Sequence, residues 1–599
     1  MALLTRQQRF RCWVRVAAVQ LIMTGLPTLA YCLSSSSSAA STSGTTRGMT
    51  QAQSFWDSME SVGSLPDPPP PELLSRIQAK PYRGGFEPAT DVDRYEPSIT
   101  FGALPSDLIG SWAGNGPGRI RIGRRQYGHW FDGDGYVTLL SLDGSRNKVT
   151  FGAKYVRTDR FRAQHRRMET LDEIQRRDPP LASAGAWTPR GRGRWYENMA
   201  AKPTNPANTA TMWLVANDAS VTKPPRLLAL CEGGQPVEVD PFTLATIGDE
   251  ASFFGETQPD SFFSAHFSRC LRTGNIYNHG YKLKPGPGVK EINLVRLAPN
   301  GTLLDQYSSP MPFDTFVHDS VLDSQSRHLV YFLPPWKVPD ASIVQFLLGK
   351  SPFGKLYEWD DGDTAYVHIH DAQDLSLSWR IALPSLMSVY HILDVHRDDI
   401  SPDSDGAFIL RVRLAELTPL DRVRQEAQFS DQYRVEEQRL MTTLREYSFE
   451  LSPQSREGRF VSARDVAPDM ASCEFPVANV GFAPVHARRR YCWTNALSQQ
   501  DTDHNWLDGL QKIDMKTGTV SPVATFGAGN YCGAPIFVPK SDASREDEGY
   551  LLAMVYKSGT HQSDAVVLDA DTLETLCVME LKHHVPYQFH GDFQPNFVV

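Results

Sequence analysis

Three stretches, VDPFTLATIG (residues 239–248), IDMKTGTV (513–520) and LDADTLETL (568–576), share one local grammar. Each runs apolar residues into an Asp, places a Thr three residues on, and returns to apolar residues. An Asp in this setting opens a turn, because its carboxylate takes hydrogen bonds from backbone N–H groups just ahead of it. The reading is a strand, an Asp-started turn and a return strand. The recurrence has no fixed period, which favours propeller blades over a strict repeat. Other strand-sized runs follow from Tyr95 onward: Val137–Leu142 before Asp143-Gly144, Leu227–Leu230 before Glu232, Leu329–Leu333 before Pro334-Pro335, Phe408–Leu414, and Leu551–Tyr556 before Ser558-Gly559. Runs of this length and spacing describe an all-β sandwich, barrel or propeller.

Composition agrees. The chain has 599 residues, of which 41% are hydrophobic and 22% charged, so it is neither wholly disordered nor a polytopic membrane protein. Its 43 Gly and 42 Pro, with 10% aromatics, fit a turn-rich β protein. A net charge of −9 argues against a nucleic-acid partner. Eight cysteines without CxxC spacing read as single buried thiols.

Residues 1–48 are a different material. No Asp or Glu occurs before Asp57, and Arg6, Arg9, Arg11 and Arg15 precede an apolar run from Val16 to Ala30 and a serine run from Ser34 to Ser38. These features describe a signal or transit segment. In series they suit a plastid reached through the secretory route, with a membrane-associated place in the secretory pathway or endoplasmic reticulum as the alternative. The apolar run is short against the roughly 20 residues that span a bilayer. Residues 49–94, with Pro66-Asp-Pro-Pro-Pro-Pro71, form an extended strap, and residues 95–599 the β domain. The charged stretch Glu416 to Arg445 reads as a solvent-facing helical or irregular insertion. Ile343, Val344, Phe346, Leu347 and Leu348, next to Lys350, form either a short core helix or an apolar lip at a membrane surface.

The chemistry rests on histidines. There is no HExxH, GxSxG, P-loop or GxGxxG. Of 16 histidines, His266, His318, His391 and His590 each follow or sit within a strand-like apolar run. Strand ends facing one axis would bring them together, and four neutral imidazoles suit iron, copper or zinc. The other reading of each is a satisfied core histidine.

Several segments, in order, resemble the carotenoid cleavage oxygenase family. They are Asn115-Gly-Pro117 with His129-Trp-Phe-Asp-Gly-Asp-Gly135; Leu230-Cys-Glu232-Gly-Gly with Val239-Asp-Pro-Phe-Thr-Leu; Ser264-Ala-His266; Val317-His318-Asp319; Tyr390-His391; Cys473-Glu474-Phe475-Pro476; Pro535-Ile-Phe-Val538; and Phe589-His590-Gly591. The resemblance implies a seven-bladed β-propeller, with insertions capping the face that bears one iron(II) held by His266, His318, His391 and His590. It implies that Glu232 and Glu474 hydrogen-bond the outer nitrogens of ligand imidazoles. The implied activity is cleavage of a C=C bond of a carotenoid or apocarotenoid with O2, giving two carbonyl products. Trp130, Phe131, Cys231 and Trp336 are candidates for the substrate tunnel. Lys154-Tyr155 would serve a stilbenoid-cleaving member as its polar anchor.

Two departures stand out. The family's third glutamate is here Ala534, and its Asn-Ala-aromatic-Glu after the third histidine is Asp394-Val-His396-Arg397. They motivate another alternative, a propeller that binds apocarotenoids with weakened catalysis. A zinc hydrolase is disfavoured, since a catalytic zinc keeps three protein ligands and an open position.

Overall fold

A computed structural model describes residues 71–599 except 123–124, 128–129, 163–204, 216–223, 249–253, 255–260, 282–289, 340, 343–355, 400–405, 419–440, 472, 483–487 and 499–505. The expected targeting segment, the Ile343–Leu348 cluster and the middle of the Glu416–Arg445 stretch lie outside these residues.

The chain forms a seven-bladed β-propeller. Blade 1 runs outward from His590–Pro595 through Ile109–Arg119, Asp134–Asp143 and Lys148–Tyr155 to Val92–Tyr95. Blade 2 starts at its inner strand Ala210–Leu214, blade 3 at Ser268–Arg269, blade 4 at Val321–Leu322, blade 5 at Val389–Asp399 and blade 6 at Cys473–Val477. Blade 7 has Asn530–Cys532 and Ile536–Pro539 beside Gly549–Lys557, then Gln562–Asp569 and Thr575–Leu581.

The ring is closed twice. His590–Pro595 pairs antiparallel with Ile109–Arg119, setting His590 opposite Asn115. Ser98–Gly102 pairs with Thr575–Leu581 as the outermost strand of blade 7. Between neighbouring blades lie seven apolar cores, one per interface. In the core between blades 4 and 5, Val330, Phe332 and Val367 meet Leu410, Val412 and Phe449, all buried. Burying each such side chain stabilises the ring by about 1.5–3 kcal/mol.

The Asp turns read from the sequence are present. Asp240 Oδ1 accepts from the backbone N–H groups of Phe242 and Thr243, both at 2.8 Å. Asp514 and Asp569 do the same two and three residues ahead. The fifth residue of each turn donates its N–H to the Asp carbonyl at 2.8 Å. It holds φ of 59° (Leu244), 74° (Gly518) and 60° (Leu573), the left-handed region that glycine adopts without penalty and leucine does not.

Two expectations need correction. The described part of residues 49–94 is not extended throughout: Pro71–Ala79 is a helix, with proline at its first position where no N–H is needed, Pro81–Phe86 is a 3-10 turn, and Val92–Tyr95 is a strand, while Pro66–Pro70 lies outside the described residues. The ends of Glu416–Arg445 are not helical either. Phe408–Thr418 and Met441–Leu451 are neighbouring strands of blade 5, paired from Phe408↔Leu451 to Thr418↔Met441. Their charges pair across the strands instead of facing solvent: Glu416 Oε2 accepts from Tyr447 Oη at 2.7 Å and from Arg445 Nη1 at 3.2 Å.

Candidate metal centre

Six of the seven blades send a side chain to the axis. His266 lies two residues before Ser268–Arg269, and His318 three before Val321–Leu322; His391 is the third residue of Val389–Asp399, and His590 opens the inner strand of blade 1. One ring nitrogen from each histidine falls within 4.8 Å of the other three. The Nε2 atoms of His318 and His391 are 3.4 Å apart, and those of His391 and His590 are 3.2 Å apart.

Blades 2 and 6 supply carboxylates. Glu232, just past Arg226–Leu230, places Oε1 3.1 Å from His318 Nδ1. His391 Nδ1 donates to Glu474 Oε2 at 2.6 Å. A proton held at Nδ1 leaves the Nε2 lone pair free to point at the axis. Asp319, beside His318, is a third buried carboxylate. Its Oδ2 accepts from Ile392 N–H at 2.8 Å, and its Oδ1 is 3.9 Å from His266 Nδ1.

The protonation states follow. Burial, with help from the other imidazoles, pushes His266 and His590 well below the usual histidine range, so both are neutral donors. Burial also lowers His391, but Glu474, with Asp319 and Glu232, outweighs it and raises that histidine. Asp319 is raised by burial.

The donor set fits a divalent transition metal. Imidazole nitrogens drawn this close repel unless something positive lies between them. His266 Nε2 and one oxygen each of Glu232 and Glu474 are buried with no hydrogen-bond partner of their own. Four imidazole nitrogens with no carboxylate among them match iron, copper or zinc in preference to magnesium or calcium.

Aromatic rings pack beside the histidines. Tyr390 stands 5.1 Å from His318, centroid to centroid. Phe131 lies 6.4 Å from Tyr390, Phe589 5.5 Å from Phe131, and Trp130 4.2 Å from Phe589. Phe316 packs between His318 and Tyr357, at 5.5 and 5.4 Å. Phe475, at φ 52°, sets its ring about equally far from His391 and His590.

The residues expected from the sequence are thus brought together unevenly. The four histidines, Glu232 and Glu474 converge. Trp130 and Phe131 join the aromatic file, and Cys231 sits beside Glu232 with its thiol pushed up to about 12 by burial. Trp336 hydrogen-bonds Ser388 from the short ribbon that it forms with Trp359. Lys154 is engaged elsewhere: its ammonium pairs at 2.8 Å with Asp93 on the outermost strand of blade 1. Tyr155 donates to the carbonyls of Ala89 and Gly118. Asp319, Tyr390, Phe316, Phe475 and Phe589 were not singled out as site residues, although four of them are next to a ligand or a ligand-bound glutamate in the chain.

The family model "Retinal pigment epithelial membrane protein" matches residues 85–595, which takes in every blade. The chain belongs to this family. Among relatives of this carotenoid-cleaving oxygenase family, the apocarotenoid-15,15'-oxygenase of Synechocystis sp. is 28% identical over 522 residues, 82% of this chain and 91% of that protein. The carotenoid 9,10(9',10')-cleavage dioxygenase of Crocus sativus is 23% identical, over 85% of this chain and 88% of its own. Resveratrol cleavage oxygenase 1 of Botryotinia fuckeliana is also 23% identical, over 77% and 76%. The crystal structure of the cobalt-substituted Synechocystis oxygenase superposes with a TM-score of 0.68 at 24% identity, covering 86% of this chain and 98% of that one, a likeness of fold.

Proposed function

We propose that this protein is an iron(II) dioxygenase that splits a C=C bond of a carotenoid or apocarotenoid, adding one atom of O2 to each fragment to give two carbonyl products. The observation that carries the reading is the convergence of four imidazoles on the propeller axis, beside an aromatic file, in a family of carotenoid-cleaving oxygenases. His266, His318, His391 and His590 would hold the iron, which when bound supplies the O2-activating redox chemistry.

The chain's own residues do the rest. The Nδ1–H of His391 is held by Glu474, which fixes that imidazole in orientation, and Glu232 lies 3.1 Å from Nδ1 of His318. Tyr390, Phe316, Phe131 and Phe589 offer flat aromatic faces beside the histidines that suit a rigid polyene. Their π faces stabilise positive charge developing along it. The thiol of Cys231 stays protonated and offers no anionic donor.

A stilbenoid substrate is the second reading, supported by the resveratrol-cleaving relative. It lacks the lysine anchor expected for it, since Lys154 is held by Asp93. Residues 1–48 are read as a targeting segment to a plastid, and the Ile343–Leu348 cluster as the lip where substrate leaves a membrane. The test is incubation of purified, iron-loaded protein with carotenoids, apocarotenoids and stilbenes under labelled O2. Two carbonyl products, each with one label, support the reading. Cleavage of stilbenes alone supports the second, and binding without cleavage the weakened propeller.

A further inference from the structure

Besides the seven interblade cores there is an eighth cluster, wholly aromatic. It joins Tyr531, Tyr556 and Tyr587 to Tyr82, Phe86, Trp130 and Trp506. Here the 3-10 turn Pro81–Phe86 meets residues 583–590, the segment that leads His590 to the axis.

The turn grips that segment through backbone groups. Tyr587 N–H donates to Gly85 O at 3.0 Å, and Tyr587 Oη donates to Tyr82 O at 2.9 Å. His584 Nε2 donates to Glu87 O at 3.0 Å. The Phe86 ring makes edge contacts with Trp506, Tyr587 and Trp130 at 4.9, 5.0 and 5.4 Å. The fit leaves no room for a side chain at either glycine: a Cβ at 85 would overlap the Tyr587 ring, and one at 84 the Tyr556 hydroxyl. From Tyr587 the path is short and pinned. Phe589 N–H donates to Asn115 O at 2.9 Å, His590 N–H donates to Thr209 O at 3.1 Å, and Trp130 packs on Phe589.

The other side of the site is held differently. His318 and His391 each face a glutamate, whereas no ion pair to His590 is found among the described residues. A ligand imidazole must have its ring orientation set by something, and where a carboxylate at the outer nitrogen does not do it, packing and backbone must. We propose that the turn Pro81–Glu87, through Gly85 and Phe86 as positioning residues, orients His590 for metal binding. This rests on the four-imidazole reading of the site.

Cobalt(II) tests it, because its visible bands report the number and geometry of the nitrogens around it. Phe86→Ala and Gly85→Ala should each weaken cobalt(II) binding by about tenfold or more and shift its bands. Leu410→Ala, in the core between blades 4 and 5, should lower the thermal midpoint yet keep the unaltered chain's cobalt affinity and bands. If Gly85→Ala does not fold, Phe86→Ala decides. Unaltered affinity and bands in Phe86→Ala would overturn the inference while leaving the metal site standing. The same losses in Leu410→Ala would overturn it too, by showing that any loosening of the ring disturbs the site. An unaltered chain that takes up no cobalt(II) would overturn the four-imidazole reading, and this inference with it.

Discussion

His391 and His590 point the same nitrogen at the axis, 3.2 Å apart, yet the protein treats them in opposite ways. His391 is held by Glu474 at 2.6 Å, and the nearby carboxylates raise it from its ordinary value. His590 is surrounded by aromatic rings and backbone, and burial takes it well below that range. One imidazole faces a carboxylate, the other aromatic rings and backbone. The difference teaches that negative charge around the site is lopsided. It comes from Glu232, Asp319 and Glu474, towards His266, His318 and His391, while blade 7 presents Ala534 in the link between Asn530–Cys532 and Ile536–Pro539.

The largest expected effect makes the two ligands equal. His391→Ala and His590→Ala should each abolish tight metal retention and turnover, read as metal content after gel filtration. Stoichiometric metal in a chain lacking both His318 and His391 would break the assignment outright. Next comes the charge itself. Glu474→Gln should weaken metal affinity about 10–100-fold.

The pH dependence sharpens the contrast. Because His391 is raised, metal must displace its proton at mildly acidic pH, and affinity should fall about tenfold per pH unit for that one proton. In Glu474→Gln the strongest of the carboxylates that raise His391 is gone, while burial remains. The acid limb should then move to lower pH even as affinity at neutral pH drops. An acid limb left where it was would show that another group sets it. The smallest effect is expected from Ala534→Glu. If the space beside blade 7 admits a carboxylate, metal affinity should rise by no more than about tenfold, towards charge-fixed behaviour at His590. If neighbours have closed in, a buried carboxylate without a partner lowers the thermal midpoint and leaves affinity no better.

Much of this contrast was legible beforehand, and the rest could not be. The Asp turns at 240, 514 and 569 are local, so their hydrogen bonds follow from residues within three positions. The ligand histidines and the two glutamates came from matching family segments, because sequence distance says nothing of which strand ends share an axis. Blade 5 misled for a physical reason: Glu416 and Arg445 read as a solvated face, but lie on neighbouring strands and pair with each other at 3.2 Å. Lys154 misled because the strand carrying its partner, Val92–Tyr95, arrives from the strap and not from the neighbouring hairpin. The contact of Phe86 with Tyr587 stayed hidden because the two residues lie near opposite ends of the chain.

The double closure bears on how the protein is made. The inner strand of blade 1 is His590–Pro595, so while the chain is being synthesised, blades 2 to 6 emerge and can fold with only three imidazoles in place. The fourth arrives with the strand that seals the ring. Pairing so remote in sequence makes closure a slow, late step in folding. A chain that stops short of residue 590 has an open ring and three of the four imidazoles.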